Sequence, residues 1–140
     1  MANGPILVVD GDRELRALVA EALRLHGYDV EEAEDGVRAL GAVLWRTPAL
    51  LVLDYHLPRL GCVEVGRVLR EHGLRIPILL ITASERPERA RDQVGADACL
   101  GKPFDLEQLL AEVERLAGPP EVSSSAEPRR LARRVRASGP

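Results

Sequence analysis

Short, uninterrupted apolar runs alternate along the chain with segments in which apolar residues recur every three or four positions. The runs PILVVD (5–10), ALLVLD (49–54) and IPILLITAS (76–84) are typical of strands buried on both faces of a sheet. YDVEEAE (28–34) is half polar, which predicts a strand at a sheet edge, and ADACLGKPF (96–104) predicts a last short strand. The pattern therefore predicts five strands.

Helical periodicity follows each of these strands. The first helix is indicated by five apolar residues on one helix face: Leu15, Leu18, Val19, Ala22 and Leu23. Gly27 suits the left-handed position just beyond its end. Similar stripes follow the other strands, except that ERPERARDQVG predicts a short, highly charged helix with little apolar stripe. Five strands alternating with five helices predict a doubly wound α/β domain with a parallel sheet.

The composition changes after Gly118, which predicts a domain boundary. We predict one domain over residues 1–118 and a disordered Pro/Ser/Arg-rich tail or linker over residues 119–140, because PPEVSSSAEPRRLARRVRASGP has no stripe that could pack. The domain carries 20 acidic and 14 basic residues, whereas the tail carries five arginines and two glutamates. Arginines without interleaved aromatic residues only weakly indicate nucleic-acid binding, and we expect none by the domain itself.

Several classes of protein are disfavoured. No apolar run has the length of a membrane span and the N-terminus lacks a signal-peptide layout, so we expect a cytoplasmic protein without membrane contacts. Cys62 and Cys99 are the only cysteines and lack zinc-site spacing, which predicts two small buried hydrophobic residues. The chain also lacks the glycine-rich phosphate-binding and dinucleotide-binding motifs.

Polar residues stand where the predicted buried strands end. Asp10 and Asp12 follow the first strand, Asp54 ends the third, Thr82 lies near the end of the fourth, and Lys102, the only lysine, follows the fifth. The carboxyl ends of parallel strands meet at one edge of the sheet, where ligands bind. Two carboxylates about 4 Å apart repel by roughly 4 kcal/mol at an effective dielectric constant near 20. An all-oxygen site of this kind suits Mg²⁺ and could direct a carboxylate towards phosphorus.

Four segments, in this order and at this spacing, resemble the receiver domain of two-component response regulators over residues 5–117: ILVVD, LLVLDYHLP, ILLITA and GKPF. The resemblance implies a flavodoxin-like (βα)5 three-layer sandwich with strand order 2-1-3-4-5. It also implies a phosphorelay function, in which Asp54 accepts a phosphoryl group from a sensor histidine kinase or a phosphotransfer protein.

The resemblance further implies a role for each site residue. Mg²⁺ would be held by Asp10, by Asp54 and by the backbone carbonyl of His56. Lys102 would pair with the Asp54 carboxylate or the phosphoryl group, and the peptide bond before Pro103 is often cis. Thr82 would hydrogen-bond the acyl phosphate and move towards it.

The expected output is a change in partner binding. A downstream protein would bind the face formed by the fourth and fifth helices, and a homodimer is a further expectation. The chain would be no enzyme in the usual sense, because it would catalyse only its own phosphotransfer and dephosphorylation.

The sequence departs from the family pattern at three places. Gly11 replaces a second acidic residue, so that Asp12 stands one position late and is either the N-cap of the first helix or a metal ligand. Gly61 and Cys62 stand where an acid–glycine pair is usual. Cys99 stands where an aromatic switch residue is usual, so the aromatic half of the usual switch cannot operate in that form.

Two alternative functions remain open. A degenerate receiver, acting as a phosphorylation-independent protein-binding module, is favoured by Gly11 and Cys99 and opposed by Asp54, Thr82 and Lys102. A small phosphatase with an aspartyl-phosphate intermediate would need an acid two residues after the nucleophile, where His56 stands, and the chain has no recognisable lid domain.

Overall fold

The computed structural model describes residues 4–120, in which five strands and five helices alternate as predicted. The elements are β1 Ile6–Val9, α1 Arg13–Leu25, β2 Val30–Ala33, α2 Gly36–Trp45, β3 Leu50–Asp54, α3 Cys62–Glu71, β4 Ile78–Thr82, α4 Pro87–Val94, β5 Ala98–Gly101 and α5 Leu106–Ala117.

The strands form one parallel sheet in the order β2-β1-β3-β4-β5, which confirms the predicted fold class and strand order. The half-polar strand β2 lies at one edge, as its pattern predicts. The strands are shorter than the apolar runs from which they were predicted. The run at 76–84, for example, yields β4 Ile78–Thr82, because pairing extends only where β3 and β5 offer partners.

The sheet separates two hydrophobic cores, one on each face. Ile6 and Val8 of β1 pack with α1 and α5, whereas Leu7 and Val9 pack with α2, α3 and α4. This alternation follows from the twofold side-chain period of a strand. The result is the predicted three-layer sandwich, with every side chain of β1, β3 and β4 buried.

The described residues settle one smaller prediction and leave another outside. Cys62 is buried, as predicted. Cys99 packs against the core but is only partly buried, because its strand β5 lies at the edge of the sheet. Helix α5, the last described element, ends at Ala117, and most of the predicted tail, residues 121–140, lies outside the described residues. Within residues 4–120, no helix is long and apolar enough to cross a membrane.

Candidate functional site

The carboxyl ends of β1, β3, β4 and β5 bring four polar side chains to one edge of the sheet. Asp54 and Thr82 are the last residues of β3 and β4, and Asp10 and Lys102 directly follow β1 and β5. Asp10 and Asp54 are only 7% and 5% exposed, which is unusual for charged side chains, and Thr82 is 1% exposed. Because burying a charge costs free energy unless it has partners, this burial indicates that the side chains interact with one another.

Asp54 is hydrogen-bonded through both carboxylate oxygens. Its Oδ1 lies 2.7 Å from the Nζ of Lys102, and its Oδ2 accepts a hydrogen bond of 3.2 Å from the amide of His56. The backbone amide of Lys102 in turn donates to the carbonyl oxygen of Thr82 at 2.7 Å. The peptide bond between Lys102 and Pro103 is cis. The hydrogen bond to Thr82 holds the Lys102 backbone beside the end of β4, from where its ammonium group reaches Asp54.

Asp10 is held from two sides. Its Oδ1 accepts a hydrogen bond from the amide of Asp12 at 2.8 Å, and its carbonyl oxygen accepts one from Nη1 of Arg16 at 2.7 Å. Burial raises the pKa of Asp10, and the charge of Asp54 raises it further, while the Asp12 amide and Lys102 oppose the rise. Asp10 is thus a carboxylate that its surroundings do not fully compensate.

Lys102 responds to the same group of charges. Burial lowers its pKa, but the hydrogen bond to Asp54 and the charges of Asp54, Asp10 and Asp12 outweigh burial, so that the pKa is raised overall. The lysine is therefore a firmly protonated cation beside at least two carboxylates. An excess of negative charge remains at this edge of the sheet.

Asp12 caps the first helix. Its Oδ1 accepts hydrogen bonds from the amides of Glu14 at 3.0 Å and Leu15 at 3.2 Å, which makes it the N-cap of α1. Among residues 4–120, no group of three Asp, Glu, His or Cys side chains is gathered closely enough to hold a metal ion. Of the two roles left open for Asp12, the structure displays the cap.

Gly11 lies close to the loop that follows β3. A Cβ atom at this position would lie 3.1 Å from Cδ of Pro58, tighter than ordinary van der Waals contact. The position lacks a carboxylate, and its neighbour Pro58 leaves little room for a Cβ atom. Any larger residue here requires the Pro58 ring to shift by a few tenths of an ångström.

Thr82 begins a hydrogen-bonded path towards α4. Its Oγ1 accepts a hydrogen bond from the amide of Ser84 at 3.0 Å, and Oγ of Ser84 accepts one from the amide of Arg86 at 3.0 Å. Arg86 is the N-cap residue of α4. A displacement of the threonine hydroxyl would therefore disturb the start of this helix.

Two residues at the site were not singled out from the sequence. Arg16 fixes the end of β1 through the Asp10 carbonyl, and its spacing one turn beyond Asp12 was the only available indication. Tyr55 directly follows Asp54 and reaches α4, where its hydroxyl donates to Oε1 of Gln93 at 2.9 Å. Neither contact is visible without the fold, because each joins separate elements.

Comparison with known proteins gives one consistent result. Residues 6–114 match the family described as the response regulator receiver domain. The response regulator MprA of Mycobacterium bovis (strain BCG / Pasteur 1173P2) is 44% identical over 124 residues, which cover 87% of this chain and 54% of that protein. MprA of Mycobacterium avium (strain 104) is 47% identical over 113 residues, covering 79% and 50%. The chain thus spans about half the length of these relatives.

Solved structures agree with the sequence comparison. The chemotaxis response regulator CheY4 of Vibrio cholerae superposes with a TM-score of 0.75 at 31% identity, covering 81% of this chain and 98% of that one. The receiver domain of NtrX from Brucella abortus superposes with a TM-score of 0.74 at 30% identity, covering 80% and 97%.

Proposed function

The chain belongs to the response regulator receiver domain family, and from this membership we propose that it accepts a phosphoryl group on Asp54. The donor would be a phosphohistidine of a sensor histidine kinase or phosphotransfer protein in the cytoplasm. An Asp54 oxygen attacks phosphorus, the P–N bond breaks, and the histidine nitrogen leaves with the bonding electrons. The product is an acyl phosphate, which water later hydrolyses to return the carboxylate.

The contact between Lys102 and Asp54 carries this proposal. An ammonium group 2.7 Å from the acceptor carboxylate would stabilise the negative charge that develops on the phosphoryl oxygens. Because the lysine is anchored through Thr82 and its pKa is raised, it needs no rearrangement or protonation to do so. The contact favours transfer to Asp54, because the Lys102 ammonium group lies against the Asp54 carboxylate.

The residues present fit Mg²⁺ in their chemistry. Asp10 and Asp54 supply carboxylate oxygens. A cation would offset the burial that raises the pKa of Asp10 and the charge of Asp54 that raises it further. We propose that these two residues hold Mg²⁺ together with the backbone carbonyl of His56. When bound, the ion would offset the charge of the phosphoryl group. With Gly11 in place of a further acid, water would complete the coordination.

We propose that the output is a change in what binds the face formed by α4 and α5. Thr82 would leave its hydrogen bond with the Ser84 amide to bond the acyl phosphate, and the start of α4 would follow. The chain would turn over no separate substrate, and its own acyl phosphate would be the only species that it forms and hydrolyses. A homodimer would be a further partner state.

The first experiment incubates the purified protein with acetyl phosphate, with and without Mg²⁺, and records the intact mass. We expect a phosphoryl adduct that requires Mg²⁺ and disappears in Asp54→Asn. Asp12→Asn is the matched control, because asparagine also caps helices and the variant removes one nearby carboxylate without touching Asp54. It should label like the wild-type protein if Asp12 is only a cap.

A degenerate receiver is the second candidate, and Gly11 favours it. Position 11 adds no carboxylate and is crowded by Pro58. A binding module without phosphotransfer needs no metal-binding acid at this position, so glycine would not impair it. The same mass measurement separates the two functions. No adduct at any Mg²⁺ concentration would overturn phosphotransfer and favour a module that binds its partner unmodified.

A further inference from the structure

Tyr55 joins the phosphoryl-acceptor strand to α4. It is the residue directly after Asp54, and its hydroxyl donates a hydrogen bond of 2.9 Å to Oε1 of Gln93 in the last turn of the helix. The two residues are 38 positions apart in the sequence. This side-chain contact is therefore a tertiary link between the acceptor and a moving part of the proposed switch.

The main chain of Tyr55 is fixed on both sides. Its amide donates to the carbonyl oxygen of Ile81 at 2.8 Å, and its carbonyl oxygen accepts a hydrogen bond from Sγ of Cys62 at 3.1 Å. Burial raises the pKa of Cys62 to about 11, so that at neutral pH the thiol keeps the proton that it donates. Because its backbone is held in place, the Tyr55 side chain can restrain the last turn of α4 through Gln93.

The start of helix α4 is the part of this helix that depends on contacts from outside it. Of its eight residues, Ala90 and Val94 are buried, and its N-cap residue Arg86 makes no side-chain capping bond in the described structure. Its first turn is attached to the site through Ser84, which bridges Thr82 and Arg86. The first turn should therefore follow any movement of Thr82.

The last turn of α4 is held differently. Nη1 of Arg70 donates to the Val94 carbonyl oxygen at 2.8 Å, and Gly66 approaches that same oxygen so closely that a Cβ atom would overlap it. These two contacts tie the end of the helix to α3. The Tyr55–Gln93 hydrogen bond ties it to the acceptor strand itself. The two ends of α4 are thus connected to the site by separate routes.

We propose that Tyr55 is a positioning residue that holds the last turn of α4 to the acceptor strand, so that phosphorylation of Asp54 shifts the first turn relative to the last. This inference rests on the proposed phosphotransfer to Asp54. Position 99, where an aromatic switch residue is usual, holds a small, partly buried cysteine. In our proposal, Tyr55 instead couples the site to α4.

Hydrogen exchange with mass spectrometry tests the proposal. A peptide spanning residues 85–95 is followed with and without acetyl phosphate and Mg²⁺, while intact mass gives the phosphorylated fraction. The variants are Tyr55→Phe, Gln93→Ala and the double variant. Losing the hydrogen bond should speed exchange of α4 amides about two- to fivefold before phosphorylation. It should also reduce the change in exchange that phosphorylation causes, and the double variant should behave like either single variant.

Tyr28→Phe is the matched control. It also removes a tyrosine hydroxyl that donates a hydrogen bond, to the Gly118 carbonyl oxygen at 2.6 Å, but far along the chain from α4. Its α4 exchange should match that of the wild-type protein. If Tyr55→Phe is phosphorylated normally and α4 responds as in the wild-type protein, the coupling through Tyr55 is wrong. If the wild-type protein takes no phosphoryl group, the proposed function fails, and the coupling with it.

Discussion

The charge at the acidic edge of the sheet is set by a few single residues of opposite sign. Asp10 and Asp54 are buried near each other, and Lys102 compensates only part of their charge. In receivers that carry a further acid after the first, the imbalance would be greater and the demand for a cation stronger. Gly11 reduces both, so its substitution should report directly on how the site holds Mg²⁺.

Gly11→Asp should strengthen Mg²⁺ binding. The added carboxylate lies beside Asp10, and we expect about tenfold tighter binding, or ~1.4 kcal/mol, once the Pro58 ring has shifted to admit the new Cβ. Isothermal titration calorimetry with MgCl₂ measures the dissociation constant. Gly11→Asn is the control, because it meets Pro58 in the same way without adding charge. Equal affinities for the two variants would show that position 11 is not a lost ligand.

The residue types at the site could be predicted from the sequence, whereas their individual contacts could not. Asp54 and Thr82 lie at or near the ends of apolar strand runs, which predicts their place at one edge of the sheet, because the strand ends of a parallel sheet converge. The role of Asp12 stayed open, since capping depends on where its oxygen points after the turn through Gly11. The contact between Tyr55 and Gln93 could not be foreseen, because it depends on where α4 packs.

At the scale of elements, α2 shows how closely the helices approach the loops that carry the site. A Cβ atom on Gly36, the first residue of α2, would overlap the carbonyl oxygen of Leu60 in the loop after β3. The same helix contains Gly41, where an added Cβ atom would have no neighbour within 4 Å beyond the adjacent backbone of the helix. One helix therefore offers two glycines in opposite environments.

Gly36→Ala should destabilise the protein and Gly41→Ala should stabilise it. At position 36, overlap with the Leu60 backbone forces the loop after β3 to move, at a cost of about 3 kcal/mol. At position 41, alanine improves helix propensity by about 1 kcal/mol without a new contact. Urea unfolding measures both free energies. If Gly36→Ala does not lower the free energy of unfolding, the contact between α2 and this loop does not constrain the fold.

The type and order of the elements could be predicted, and their lengths could not. Continuous apolar runs and 3.6-residue periodicity are local properties, so five strands and five helices were evident, including the short charged α4. Strand ends depend on partners elsewhere in the chain. The run at 96–104 yields only Ala98–Gly101, because β5 is an edge strand paired on one side with β4.

At the scale of the whole molecule, the fold holds together a site whose buried charges lower the stability of the protein. Two hydrophobic cores, one on each face of the sheet, hold buried carboxylates together. Because Asp10 has its pKa raised by burial and by Asp54, its charged form costs folding free energy. A ligand that binds only the folded state would recover this energy, and Mg²⁺ is the ligand proposed.

Asp10→Asn should therefore raise stability without Mg²⁺ and remove the response to Mg²⁺. Asparagine keeps an oxygen that can accept from the Asp12 amide but removes the charge facing Asp54, and we expect a gain of ~1 kcal/mol, or about 4 °C in Tm. In the wild-type protein, Mg²⁺ at one hundred times its dissociation constant should add about 2.7 kcal/mol. Thermal unfolding across a Mg²⁺ series measures both effects.

Asp92→Asn separates the local effect from a general change in net charge. This carboxylate lies on α4, its side chain is 73% exposed, and it pairs with Arg91, so its removal should leave both the Tm and the Mg²⁺ response nearly unchanged. If Asp10→Asn instead lowers the Tm in the absence of Mg²⁺, the hydrogen bonds that Asp10 receives outweigh its burial and repulsion. The site would then stabilise the fold, and Gly11 could not be explained as relief of excess negative charge.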